Sequence, residues 1–160
     1  MGEQAPVLRQ IDAALLGLRH LWTRPSPTTV ANEGGVELST VWVVDALARG
    51  EAAGRLEVSV RDLAGALDVA HSTASRLLDR AVASGMVTRG RSSTDARSVS
   101  ATLTPAGRDL AVESAAFRAA YLGELTVGWT AAERRTFADL LGRFSSAASR
   151  TPPGSMADPT

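Results

Sequence analysis

Val7, Ile11, Ala14, Leu15, Leu18, Leu21 and Trp22 recur at the spacing of one helical face, which predicts an amphipathic first helix ended by Pro25 and Pro27. Residues 23–36 are polar and contain Pro and Gly, as a loop does. A second helix is expected over 37–49, burying Val41, Val44 and Leu47 or Ala48, with a break from Gly50 to Gly54. Ser59-Val60-Arg61-Asp62 then has the form of a capping box, a hydroxyl to accept from backbone N–H groups and an acid three residues on. The helix it opens should bury Val60, Leu63, Ala64 and Leu67. Asp68-Val69-Ala70 leaves room only for a short turn. A further helix is expected over 71–84, with Ala74, Leu77, Leu78 and Ala81 inward and Gly85 as the left-handed residue beyond its end.

From there the period changes. Met86-Val87-Thr88-Arg89 suits a strand, and Val99, Ala101 and Leu103 alternate with Ser100 and Thr102 as a second. The pair makes a hairpin whose polar tip carries Arg91 and Arg97. Thr104-Pro105 joins a capping hydroxyl to a proline in the first turn, a strong helix start. Leu110, Phe117, Tyr121 and Leu125 mark the stripe of that helix, and Gly128 interrupts it. Thr130-Ala131-Ala132-Glu133 is a second capping box, opening a last helix expected to bury Phe137, Leu140, Leu141 and Phe144. The tail from Ser149 is expected to be disordered.

Composition narrows the chemistry. The 160 residues contain no Cys, which excludes disulfides, thiolate zinc sites, catalytic thiols and thiol redox sensing. Net charge is zero, but five arginines (76, 80, 89, 91, 97) face two aspartates (79, 95) between His71 and Ser100, a local excess of three positive charges. No apolar run approaches a membrane span, and the N-terminus has no basic segment followed by an apolar block, so a cytoplasmic location is expected. His20 and His71 lie far apart, with no Asp or Glu in compact ligand spacing, so no metal is expected. No phosphate-cradling glycine loop or dinucleotide fingerprint is present, and neither an enzyme nor a cofactor is expected.

Two helices joined by a short turn and followed by a hairpin are the elements of a winged helix-turn-helix. Its second helix must present small polar and basic groups near its N-terminus to enter a major groove. Here those groups are His71, Ser72, Thr73, Ser75 and Arg76, with Arg80 one turn further on. Arg76 has the length for a bidentate contact to guanine. Arg89, Arg91 and Arg97 suit flanking phosphates or the minor groove, and Asp95 is placed to hold Arg97 extended.

Leu63-Ala64, the run Ser72 to Arg80 (STASRLLDR), Ser84-Gly85-Met86-Val87-Thr88-Arg89, Asp95-Ala96-Arg97 and Leu103-Thr104-Pro105-Ala106-Gly107 together resemble the MarR family of bacterial regulators, over about residues 58–110. Three positions depart from the family pattern. Ala70 stands where a capping Ser is common, which moves the expected cap to Ser72. Ala81-Val82 replaces Leu followed by an acid, and Asp-Ala-Arg replaces Asp-Arg-Arg in the wing.

The resemblance implies a mainly α fold with a small β-hairpin wing: a winged helix-turn-helix with N- and C-terminal dimerisation helices. It divides the chain into residues 1–36 (dimerisation helix and loop), 37–103 (DNA-binding domain), 104–148 (dimerisation helices) and 149–160 (tail). It further implies a homodimer on double-stranded DNA bearing a palindromic operator, commonly as a repressor relieved by a small-molecule effector. His20, Trp22 and Trp42 border the effector pocket by that analogy, although packing is the more economical role for both tryptophans. The competing expectation is a winged helix that binds proteins and does not read DNA. The Ser/Thr/Arg face argues against it, since protein interfaces favour aromatics and aliphatics.

Overall fold

The computed structural model describes residues 4–23, 36–55, 57–91 and 99–150, with the side chains of these other than residues 4, 19–23, 91 and 99. Among them the chain forms α1 (Gln4–Thr23), α2 (Leu38–Ala52), β1 (Val58–Ser59), α3 (Val60–Leu67), α4 (His71–Ala83), β2 (Val87–Arg91), β3 (Val99–Leu103), α5 (Pro105–Leu125) and α6 (Ala131–Arg150). It divides into two units, Met1–Phe117 and Arg118–Thr160.

In the first unit a single core gathers Val43, Val44 and Leu47 of α2, Leu63 of α3, Ala74, Leu78 and Ala81 of α4, and Val87, Ala101, Leu103 and Leu110 from the sheet and α5. The three strands run antiparallel in the order β1-β3-β2. Val58 pairs with Ala101, which pairs on its other side with Arg89. Thr88 and Thr102 bring their hydroxyls to 2.9 Å across β2 and β3.

The helix ends follow the local chemistry of the sequence. Ser59 Oγ accepts from the Asp62 N–H at 3.1 Å, and the Ser59 N–H donates to the Asp62 carboxylate at 3.2 Å, closing the predicted capping box. Asp68 turns the chain out of α3 in the left-handed conformation (φ 52°, ψ 50°), a shape that a short polar side chain tolerates. At the end of α4, the Met86 N–H donates to Ala81 O and the Gly85 N–H to Val82 O, with Gly85 at φ 75°. This is the Schellman closure, and glycine carries no steric cost at its left-handed position.

Several expectations need correction. α2 continues through Gly50 to Ala52, and the break falls at Ala53 and Gly54. Gly50 is buried, and a Cβ there would stand 2.8 Å from Val58 Cγ2, so it permits the close approach of β1. Strand β1 was not anticipated, because two residues are too few to show alternation. α4 begins at His71 with Ala70 as its N-cap and no side-chain cap, so the cap does not move to Ser72. α6 carries Ser149 and Arg150 as helix, so the tail does not start at Ser149. The expected burial on α6 is also absent in the single chain: Phe137, Leu140, Leu141 and Phe144 are 45–54% exposed.

In the second unit, Thr130 Oγ1 accepts from the Glu133 N–H at 3.2 Å while the Thr130 N–H donates to the Glu133 carboxylate at 2.7 Å. These bonds hold the Glu133 carboxyl below its ordinary range, the backbone bond first and the hydroxyl second. Trp129, just before this cap, meets Phe137 edge to face with centroids 5.4 Å apart.

Candidate nucleic-acid interface

The turn between α3 and α4 is three residues long, which holds the two helices close and leaves one side of α4 outward. At about 3.6 residues per turn, buried Ala74, Leu78 and Ala81 share one side of α4, and Ser72 and Arg76 lie opposite. Ser75 and Asp79 mark one flank. Thr73 and Arg80 mark the other. His71, Ser72 and Arg76 are exposed, whereas Thr73 and Ser75 are half-buried.

Each flank is clasped by an ion pair. Arg80 donates to the carboxylate of Glu37 at 3.2 Å, tying α4 to the residue that precedes α2. Ser39 Oγ donates to that carboxylate oxygen as well, at 3.0 Å. On the opposite flank, Arg89 of β2 pairs with Asp79 at 2.7 Å and reaches Ser75 Oγ at 3.5 Å. Arg76 bonds only weakly within the helix, to Thr73 Oγ1 at 3.4 Å. Among the described residues it has no carboxylate partner. Of the three predicted DNA-contacting arginines whose side chains are described, Arg80 and Arg89 are thus held by carboxylates, and Arg76 points outward at the centre of the exposed face.

The base of the wing is fastened to the end of α4. Thr104 Oγ1 donates to Gly85 O at 2.8 Å and accepts from the Gly107 N–H at 3.0 Å, while the Thr104 N–H donates to Met86 O at 3.1 Å. A Cβ at Gly107 would collide with the Met86 carbonyl. The Thr-Pro-Ala-Gly run therefore does two things: it caps α5, and it closes β3 against the turn that follows α4. Arg108, on α5, pairs with Glu51 at the end of α2 at 3.0 Å.

Other predicted site residues are less informative. Arg91 ends β2, but its side chain lies outside the described residues, as do Asp95 and Arg97 entirely. The backbones of His20 and Trp22 lie in α1 and their side chains are outside the described set. Trp42 is on α2 with 45% of its surface exposed. Glu37 and the pairing role of Asp79 were missed from the sequence. Ser75 and Asp79, four residues apart, carried a detectable signal for a shared partner. Nothing local couples Glu37 to a residue 43 positions away. Among the described residues, no helix is long and apolar enough to cross a membrane, and no group of three or more His, Cys, Asp or Glu could hold a metal.

A short-turned helix pair followed by an antiparallel hairpin defines a winged helix-turn-helix protein. Residues 34–98 match the model of the MarR family. The chain's fold is that of solved MarR regulators. It is similar to Bordetella bronchiseptica BpsR, described with regulation of its DNA binding by 6-hydroxynicotinic acid (TM-score 0.63, 23% identity, 85% of this chain and 98% of that one). It is similar to Streptococcus pneumoniae FabT, solved in complex with DNA (TM-score 0.70, 18% identity, 89% and 98%). A MarR family protein from Bacillus stearothermophilus also matches (TM-score 0.70, 17% identity, 93% and 99%). Among curated proteins, none matches the sequence.

Proposed function

We propose that this chain is a sequence-specific, double-stranded DNA-binding transcription regulator that binds a palindromic operator as a homodimer and represses. The observation that carries the reading is the outward face of α4. Ser72 and Arg76 stand opposite a packed inner face, on a helix whose two flanks are held by Glu37 and Arg89. A helix immobilised in this way can enter a major groove without reordering. Arg76 is the base reader, and His71, Ser72 and Thr73 contact phosphates or base edges at the helix start. Arg91 and Arg97 serve the wing, with Asp95 holding Arg97 extended.

The homodimer rests on unpartnered apolar stripes. Val7, Ile11, Leu15 and Leu18 of α1 are 43–55% exposed, and Phe137, Leu140, Leu141 and Phe144 of α6 are comparably exposed. The α6 set follows the i, i+3, i+4, i+7 spacing of a buried helical face and the α1 set recurs every three or four residues along one face, stripes that a second copy would cover. Residues 1–36 and 104–148 are accordingly the dimerisation regions and 37–103 the DNA-binding domain. An effector that relieves repression would bind near Trp42, His20 and Trp22. The regulation of BpsR by a small aromatic acid supports an effector of that class.

The test is selection of duplexes from a random pool by the purified protein, followed by mobility shifts with the selected and scrambled duplexes across a salt series. Enrichment of an inverted repeat, bound tighter than its scramble, is expected. Equal, strongly salt-dependent binding to both would contradict sequence-specific reading, and no binding to either would leave a protein-interaction module.

A further inference from the structure

Asp79 places a negative charge on the helix proposed to meet DNA phosphates. By charge alone it should weaken binding, because each phosphate repels a carboxylate. Its surroundings explain its presence. Asp79 Oδ1 accepts from Arg89 at 2.7 Å, a shorter pair than those of Arg80 with Glu37 and Arg108 with Glu51, and Arg89 also reaches Ser75 Oγ one helical turn earlier. Two contacts on one flank of α4 fix a guanidinium in orientation as well as in position, which a single contact cannot do. Arg89 in turn sits on β2 opposite Ala101 of the central strand, and Ala101 is 2% exposed within the core. The grip therefore runs from the flank of α4 to the strand that leads into the wing.

We propose that Asp79 is a positioning residue for DNA reading: through Arg89 it fixes the angle between the reading helix and the wing strand, so that a carboxylate strengthens sequence-specific binding. The role rests on the DNA-reading assignment above. Arg89 is then a strut between helix and wing, in place of the flanking-phosphate contact expected from the sequence. Its side chain is 35% exposed, against 60% for that of Arg80, in keeping with a group held between two elements.

The experiment measures binding of the full chain to a duplex selected by the wild-type protein and to its scramble, in a salt series. Asp79→Asn should lose about tenfold in affinity for the selected duplex, or about 1.4 kcal/mol, while binding the scramble as well as wild type or better. The salt slope should not become shallower, because no phosphate contact is removed. Asp79→Glu should recover most of the loss. The exchanged pair, Asp79→Arg with Arg89→Asp, keeps the net charge and should restore preference for the selected duplex above that of Asp79→Asn. Unfolding midpoints checked on every variant separate a binding loss from a folding loss. Unchanged or tighter binding of the selected duplex by Asp79→Asn overturns the proposal, as does an exchanged pair with no recovery. A wild-type protein that prefers no duplex overturns the DNA-reading assignment itself, a result visible before any variant is made.

Discussion

Arg80 and Glu37 lie 43 residues apart in the chain and meet at 3.2 Å, joining the last turn of α4 to the residue before α2. Both side chains are more than half exposed, so the pair contributes little to stability, roughly 0–1 kcal/mol at most. Its larger consequence is for DNA. On the proposed DNA-reading role, Arg80 would bond either Glu37 or a phosphate, and the carboxylate would compete for it.

Glu37→Gln should therefore release Arg80. Tighter binding to selected and scrambled duplexes alike is expected, with the salt dependence steepened by about one phosphate's worth of counterion release. The check is a salt titration of both duplexes. Weaker binding would mean that the hold of Glu37 on α4 outweighs its competition for Arg80.

The capping box at the start of α3 ties stability to pH. The Ser59 hydroxyl bond is the main reason that the Asp62 carboxyl lies below its ordinary 3.8, with burial opposing and the Ser59 N–H, Arg55 and Arg61 assisting. A carboxyl depressed by folding contributes stability above its unfolded value and loses that contribution as pH falls from there through the folded value. Urea unfolding of wild type and Asp62→Asn should thus differ at pH 7, and the gap should close below pH 3.8. Ser59→Ala should cost about 1 kcal/mol at neutral pH.

Much of this architecture was legible because its causes are local. Ser59 with Asp62, Thr130 with Glu133, Gly85 beyond α4 and Thr104 before Pro105 each act within a few residues, and each holds in the structure. The features that were not legible depend on distant partners. Gly50 resembles a break until Val58 is placed against it, and only then is it a contact inside a helix. Phe137 and Leu141 satisfy a buried periodicity, yet periodicity cannot tell whether the covering surface belongs to the same chain. Arg80 and Arg89 seemed free to bind DNA because neither Glu37 nor Asp79 could be paired with them from spacing alone.

Gly107 should tolerate no side chain. A Cβ there would meet the Met86 backbone carbonyl, which cannot rotate away as a flexible side chain could. Gly107→Ala should destabilise by about 1–3 kcal/mol, as overpacking does. Gly50→Ala should cost less, since it meets a side-chain methyl of Val58 and adds helix propensity. Parallel denaturant unfolding of the two variants tests the order, and a reversed order would contradict the tight joint between wing and α5.

Leu141→Glu and Leu15→Glu should each lower the mass seen in sedimentation and weaken operator binding together, because a charge would be buried against the partner copy. Both residues are exposed in the single chain, so the winged domain should keep its fold. A wild-type protein that stays monomeric at micromolar concentration would refute the homodimer.

The most direct test of the central claim, that α4 reads DNA sequence, is the affinity of Arg76→Ala for the selected duplex and for its scramble. Arg76 stands opposite the buried side of α4 without a carboxylate partner among the described residues, so its loss should leave the fold intact. One bidentate contact to a base is worth roughly 1–3 kcal/mol of discrimination, and the preference for the selected duplex should fall by that amount with little change on the scramble. Equal weakening on both duplexes would make Arg76 a phosphate contact and contradict base reading by this helix.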